Sequence, residues 1–171
     1  MTALRVAAFV LGALVLQSAL VGVVGGGAID LGLVAVVSVA LLHGRVAGLL
    51  AGTLAGLVQD ALGGGVLGMS GLGKSIAGYL TGVVGTQFIV TQTVSRFLVF
   101  FGATVMNGAL FVGLSVLLGL RRYDRPYLDV ALQGVGNALI GVLVFHLIEF
   151  LPSAPEWWRA VLERRRKRRF Y

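Results

Sequence analysis

Long apolar runs separated by single charged residues make up most of the chain. Between Val6 and Leu120 only five positions carry a charged side chain: Asp30, Arg45, Asp60, Lys74 and Arg96. A helix that crosses a bilayer needs about 20 mainly apolar residues. The runs between these charges and after them have this length or slightly less. The pattern therefore predicts a set of membrane-spanning helices.

We expect six spans, at residues 6–24, 28–42, 46–62, 71–90, 97–120 and 128–151. The second and third are only about 15 and 17 residues long, at the short end of what a bilayer requires. They flank the turn His43-Gly44-Arg45, so we expect a tight hairpin shielded by its neighbours or set in a thinned bilayer. The alternative is a re-entrant pair that never crosses. A β-barrel is not expected, because the apolar runs lack a two-residue alternation.

The composition agrees with a helical membrane protein. Residues of the apolar types make up 57% of the 171 residues, charged residues only 12%, and the mean hydropathy is +0.94. A chain this apolar cannot cover a water-facing surface, which excludes a soluble globular domain. The predicted fold class is an all-α integral membrane protein, a compact bundle of about six helices over residues 1–155.

The net charge of +7 is concentrated at the C-terminus, in a tail at residues 156–171. With an even number of spans both termini lie on one side, and the excess of basic residues indicates the cytoplasm. The loop at residues 121–125 departs from this pattern, because it carries three arginines and yet is predicted to face away from the cytoplasm. We expect the tail to lie on the membrane surface and to contact anionic lipid, and the alternative is that it docks onto an acidic cytoplasmic partner. A role in nucleic-acid binding is not expected. The tail comprises the interfacial pair Trp157 and Trp158 and the basic run Arg164, Arg165, Arg166, Lys167, Arg168 and Arg169.

Gly44, Gly48, Gly52 and Gly56 recur every four residues and so share one face of the predicted third helix. Small residues let two helices approach closely, which holds them together in lipid. This face is predicted to pack inside the bundle. The alternative is that it forms a groove for the transmembrane helix of a partner protein.

The segment Gly68–Ser75 matches the phosphate-binding pattern G-x-x-x-x-G-K-[ST]. That chemistry requires a strand before the loop and a second strand that delivers an Asp to Mg²⁺, and neither is indicated here. We therefore treat the match as chance. Asp60 and Lys74 lie at opposite ends of the same loop and are expected to form an ion pair across its mouth. A ligand or proton site is the alternative, because ionisable groups inside membranes are functional candidates.

No catalytic, cofactor-binding or metal-binding residues are predicted. The chain has no cysteine and two histidines, too few ligands for a metal site, and no nucleophile with a base beside it. An enzyme is therefore not expected. Five amide side chains are expected to form hydrogen bonds between helices: Gln17, Gln59, Asn107, Gln133 and Asn137.

A series of motifs over residues 29 to 82 resembles the family of the rod shape-determining protein MreD, small proteins of the bacterial inner membrane. In order, these motifs are Ile29-Asp30-Leu31, the His43-Gly44-Arg45 turn, Leu57-Val58-Gln59-Asp60, Gly64-Gly65-Val66-Leu67-Gly68 and Gly78-Tyr79-Leu80. The first helix and the last two are similar in length and hydropathy. Asn137 resembles an Asn that is frequent in the final helix of the family.

This resemblance implies six helices arranged like the substrate-binding subunits of energy-coupling-factor vitamin transporters. It also implies a non-enzymatic scaffold in the inner membrane that supports synthesis of the lateral peptidoglycan wall and cell shape. The implied partners are MreC above all, the wall-elongation glycosyltransferase and transpeptidase, and the MreB filament. The alternative function is a substrate-binding membrane subunit of a small-molecule, vitamin-type importer, since such proteins share this size and helix count.

Overall fold

All the regular structure described is α-helical, which confirms the predicted all-α class. The computed structural model describes residues 3–24, 29–64, 66–87, 92–120 and 126–150. Within these ranges the helices are α1 (Ala3–Val24), α2 (Leu31–His43), α3 (Arg45–Gly63), α4 (Met69–Gln87), α5 (Thr93–Leu117) and α6 (Pro126–Phe150). Each helix overlaps one of the predicted apolar runs. The tail that begins at Glu156, with Trp157, Trp158 and the basic run, lies outside the described residues.

Three helices are long and apolar enough to cross a membrane: α3, α5 and the part of α6 between Tyr127 and Leu147. Two further apolar stretches, Leu4–Leu20 in α1 and the whole of α2, are shorter. With 13 residues, α2 is about 20 Å long, against about 30 Å of hydrocarbon in a typical bilayer. The described residues thus have the character of a membrane-embedded protein, with a short helix among longer ones.

The short helix α2 is the centre of the bundle. Its residues from Gly32 to Ala40 are all buried, and the helix packs against each of the other five. A helix that is apolar on every side is suited to such an enclosed position. Its neighbours thus enclose α2 from Gly32 to Ala40, while its last turn, Leu41 to His43, is half-buried.

Two apolar clusters lie on opposite sides of α2. On one side Leu33 and Val37 pack with Phe100 of α5 and Phe145 of α6, whose rings meet edge to face with centroids 6.0 Å apart. On the other side residues of α1, α2 and α3 pack together: Val10, Leu14, Val36, Val39, Ala51 and Ala55. The core is therefore two layers of side chains that share one central helix.

The glycine face of α3 packs directly on α4. A Cβ atom added at Gly48, Gly52 or Gly56 would lie within 3 Å of the backbone of Gly78, Lys74 or Gly71, respectively. The two backbones thus touch without side chains between them, as small residues allow. Gly44 has a different role, because it joins α2 to α3 with a φ of 89° and has open space around it.

The alternative of a partner groove on this face is wrong for Gly48, Gly52 and Gly56. Helix α4 covers all three, since its own residues Gly71 and Gly78 complete the contact. A partner helix cannot reach these positions unless α4 first leaves. The repeat is used for internal packing.

Replacing Gly52 with alanine is expected to destabilise the bundle by about 1–3 kcal/mol, because the added methyl group overlaps the backbone of α4. A lower unfolding midpoint in detergent, followed by circular dichroism, would measure this effect. The matched control is Gly63→Ala on the same helix, where an added Cβ meets nothing within 4 Å. Equal midpoints for the two variants would contradict the described contact.

Candidate functional site

An ion pair lies inside the bundle between α4 and the residue that precedes α2. The Lys74 ammonium contacts the Asp30 carboxylate through Nζ and Oδ2. Lys74 is 1% exposed and Asp30 5% exposed. A charge buried in a low-dielectric interior is very unfavourable unless an opposite charge compensates it. The burial of each of these two charges is therefore tolerated only because the other is present.

The prediction that Asp60 forms an ion pair with Lys74 is wrong, because the partner of Lys74 is Asp30. Helix α4 begins at Met69, so Lys74 lies in its second turn on the buried face and not at a loop mouth. Asp60 points instead to the start of the same helix. The positions of the charges along the sequence suggested the nearer carboxylate, whereas the packing of α2 on α4 selects the more distant one.

Asp30 also fixes the start of α2 and joins it to α6. Its Oδ1 atom accepts a hydrogen bond from the Leu33 backbone N–H at 2.9 Å, which caps the helix. Its own backbone N–H donates to Asn137 Oδ1 at 2.8 Å. Asn137 Nδ2 in turn donates to Thr104 Oγ1 of α5 at 3.2 Å. We call Asp30, Lys74, Thr104 and Asn137 the polar core; it links four helices.

Helix α1 is joined to the same region through Gln17, whose Oε1 accepts a hydrogen bond from the Gly32 N–H at 3.0 Å. This contact and the one made by Asn137 confirm the predicted bonding role of two of the five amide residues. Gln59 Oε1 is buried without a partner in the described residues. Sequence reasoning missed Thr104, because a threonine within an apolar helix carries no distinguishing signal.

Asp60 caps the first turn of α4. Its carboxylate accepts hydrogen bonds from the Gly68 N–H at 2.8 Å and the Ser70 N–H at 3.1 Å. A carboxylate at a helix N-terminus satisfies free backbone donors and interacts favourably with the helix dipole. Asp60 is 6% exposed, so this cap is a buried connection between the end of α3 and the start of α4.

The segment that matches the phosphate-binding pattern does not form the loop that this pattern requires. Gly73, Lys74 and Ser75 are helical residues of α4, and no strand occurs in the described ranges. The Ser75 hydroxyl bonds to the Gly71 carbonyl and to Thr53 of α3. The lysine and the hydroxyl that would bind a nucleotide are therefore engaged inside the bundle.

A fourth buried charge lies at the opposite end of the bundle. Arg96 near the start of α5 is 4% exposed, and its guanidinium lies 5.0 Å from the centre of the Phe145 ring. Such a cation–π contact contributes more when both groups are desolvated. Within the described ranges, no group of three or more His, Cys, Asp or Glu side chains is placed to hold a metal ion.

Comparison with protein-family models, with curated proteins and with solved structures finds no match. The carboxylates of Asp30 and Asp60 and the ammonium of Lys74 all hold other parts of the chain in place. In this arrangement the ion pair and the hydrogen bonds of these side chains join helices to one another.

Replacing Lys74 with methionine is expected to cost about 3–5 kcal/mol of folding free energy, because the Asp30 carboxylate is left buried without its partner. Asp30→Asn preserves an oxygen for the Leu33 N–H, so the double variant D30N/K74M should recover most of this loss. Unfolding free energies of the four proteins in a double-mutant cycle measure the coupling. A double variant no more stable than K74M would contradict the pairing.

Replacing Asp60 with alanine is expected to destabilise the start of α4 by about 1–2 kcal/mol, the usual cost of a lost cap. Amide hydrogen exchange at Gly68 and Ser70 should accelerate. Asp60→Asn retains one carbonyl oxygen and should give an intermediate rate. The control is Asp129→Ala, since Asp129 also lies in the first turn of a helix but is exposed. Unchanged exchange in Asp60→Ala would show that the cap is not formed.

Proposed function

We propose that this protein is a non-enzymatic membrane scaffold of the rod-shape elongation machinery, which binds MreC and helps to position lateral peptidoglycan synthesis. The observation that carries the proposal is the role of the residues on which the resemblance to the MreD family is based. Asp30 and Asp60 cap two helices, Gly44 forms the turn between α2 and α3, and Gly78 lies in the contact between α3 and α4. These motif residues determine the architecture of the bundle.

The polar side chains are occupied by contacts within the bundle, which supports a binding role over a catalytic one. Asp30, Asp60 and Lys74 make hydrogen bonds and an ion pair to other parts of the chain. A scaffold needs a stable bundle that offers apolar surface to other membrane helices, and this arrangement suits that need.

A groove between α1, α2 and α6 is the surface that we assign to the transmembrane helix of MreC. The cavity has a volume of about 410 Å³ and is lined by apolar side chains. Among the described residues α1 packs on α2 and α3 but not on α6, so the groove is open to the side. Gly12 lies in its wall with no atom within 4 Å of an added Cβ, which leaves room for a close helix approach. We call this surface the lateral groove; it includes Phe9, Gly12, Leu16, Val34, Ile140 and Val144.

In this proposal the protein lies in the bacterial inner membrane as six spans arranged like the energy-coupling-factor substrate-binding subunits, with both termini in the cytoplasm. The basic tail from Arg164 to Arg169 would then face anionic lipid or MreB. The wall-elongation glycosyltransferase and transpeptidase would be held through the same assembly.

Affinity purification from a mild-detergent extract of native membranes, with mass spectrometry of the bound proteins, tests this proposal. Recovery of MreC and the wall-elongation synthases in amounts comparable to the bait is expected. Recovery of two ATPase subunits and a coupling membrane subunit would contradict it and would identify the binding subunit of an importer.

Replacing Gly12 with leucine is expected to lower MreC recovery by about tenfold, the effect of about 1.4 kcal/mol, because the new side chain fills the lateral groove. The control is Gly102→Leu, which lies in a second apolar groove, between α4 and α5, and also has open space around it. Equal recovery with the two variants would exclude the lateral groove as the contact, even if MreC binds the native protein.

A further inference from the structure

The turn between α3 and α4 exposes apolar side chains and presents no charge. Leu62 is 70% exposed, Val66 46% and Leu67 70%; we call these three residues the apolar turn. The charged residues nearest to it in sequence, Asp60 and Lys74, are both buried and held by contacts inside the bundle. Turns that face water are usually polar, and clustered exposed apolar side chains indicate a surface that binds something apolar.

The length of α3 places this turn below the membrane surface. Arg45, the first residue of α3, is exposed, and it marks one side of the bilayer because a charged side chain is very unfavourable in hydrocarbon. From Arg45 to Leu62 the helix rises about 26 Å, whereas the hydrocarbon of a typical bilayer is about 30 Å thick. Any tilt shortens the distance that α3 covers across the membrane. With Arg45 at one surface, Leu62 is thus still inside the opposite leaflet.

Comparison with α5 also shows that the α3–α4 turn ends early. Gly73 of α4 and Asn107 of α5 lie at the same depth in the bundle, because Asn107 Oδ1 is 2.8 Å from the position that a Cβ of Gly73 would occupy. Beyond this depth α5 continues for about 15 Å to Leu117, whereas α4 extends only about 6 Å in the same direction, to Met69. The connection after α5, at residues 121–125, carries three arginines, which suit water. The apolar turn therefore lies deeper than the end of α5.

The backbone of the turn is suited to an apolar environment. Three successive N–H groups at the start of α4 donate hydrogen bonds within the chain. Those of Gly68 and Ser70 donate to the Asp60 carboxylate, and that of Met69 donates to the Val66 carbonyl at 3.3 Å. Donors at the start of a helix otherwise need water, and an unsatisfied donor in hydrocarbon is very unfavourable. The buried cap thus removes the need for water at this point.

We propose that the apolar turn inserts into the acyl chains of the bilayer and anchors the α3–α4 hairpin in the leaflet that it reaches. The surface that these side chains fit is therefore lipid. Among the described residues α4 contacts neither α1 nor α6, which line the lateral groove. The anchor thus holds the bundle away from that groove and leaves the groove free for a partner helix. This inference rests on the membrane location that the proposed function also requires, but not on MreC binding.

The depth of a spin label tests this proposal, because the chain has no cysteine and Leu67→Cys introduces a unique thiol. The full-length protein is reconstituted in phosphatidylcholine nanodiscs, which leave both membrane faces open to water. Oxygen concentrates in acyl chains and a neutral nickel chelate stays in water. We expect oxygen to relax the label at Leu67 strongly and nickel to relax it weakly. Leu62→Cys provides a second site at which the same result is expected.

Two further single-cysteine variants serve as matched controls. Leu57→Cys lies on the exposed side of α3 nearer the middle of the membrane, and Gln87→Cys lies at the exposed polar end of α4. A label at Leu67 that nickel relaxes as strongly as the label at Gln87 would place the turn in water and overturn the proposal. Weak relaxation by both reagents would indicate a protein contact and overturn it as well. If the label at Leu57 is also in water, the membrane location fails, and the proposed function fails with it; if only the label at Leu67 is in water, the anchor alone fails.

Discussion

Compensation of charge inside an apolar bundle is the constraint on which the structure depends. Asp30 and Lys74 come from parts of the chain far apart in sequence, yet neither can be buried without the other. Their contact fixes the start of α2 against the second turn of α4. Asn137 and Thr104 then attach α6 and α5 to the same point. The polar core thus gives a specific arrangement to helices that apolar packing alone would hold with little preference.

The contact between α3 and α4 is the second constraint on the structure. At its closest points the two backbones touch without side chains between them. Gly48, Gly52 and Gly56 meet the backbone of α4, and Asp60 caps the first turn of that helix. These two helices therefore behave as one hairpin with a defined register. The polar core then joins this hairpin to α2, α5 and α6.

The helical class and the positions of the helices were predictable, because long apolar runs in this composition permit few other structures. The internal role of the glycine repeat also followed from its spacing. The partner of Lys74 did not, since sequence shows which charges are present but not which helices pack together. Asp60 is nearer to Lys74 in the sequence, whereas the more distant Asp30 occupies the helix end that α4 contacts. The lateral groove could not be predicted from the sequence either, because it arises where the described residues of α1 and α6 do not pack on each other.

The enclosure of α2 has a consequence for the order of assembly during synthesis. This 13-residue helix is made second, but α4, α5 and α6, which cover much of it, are made afterwards. Until Lys74 emerges, Asp30 has no counter-charge, and until α6 is made, Asn137 cannot bind the Asp30 backbone. Helix α2 therefore cannot reach its final packing before those later helices have been made. The described fold is complete only once α6 has been made.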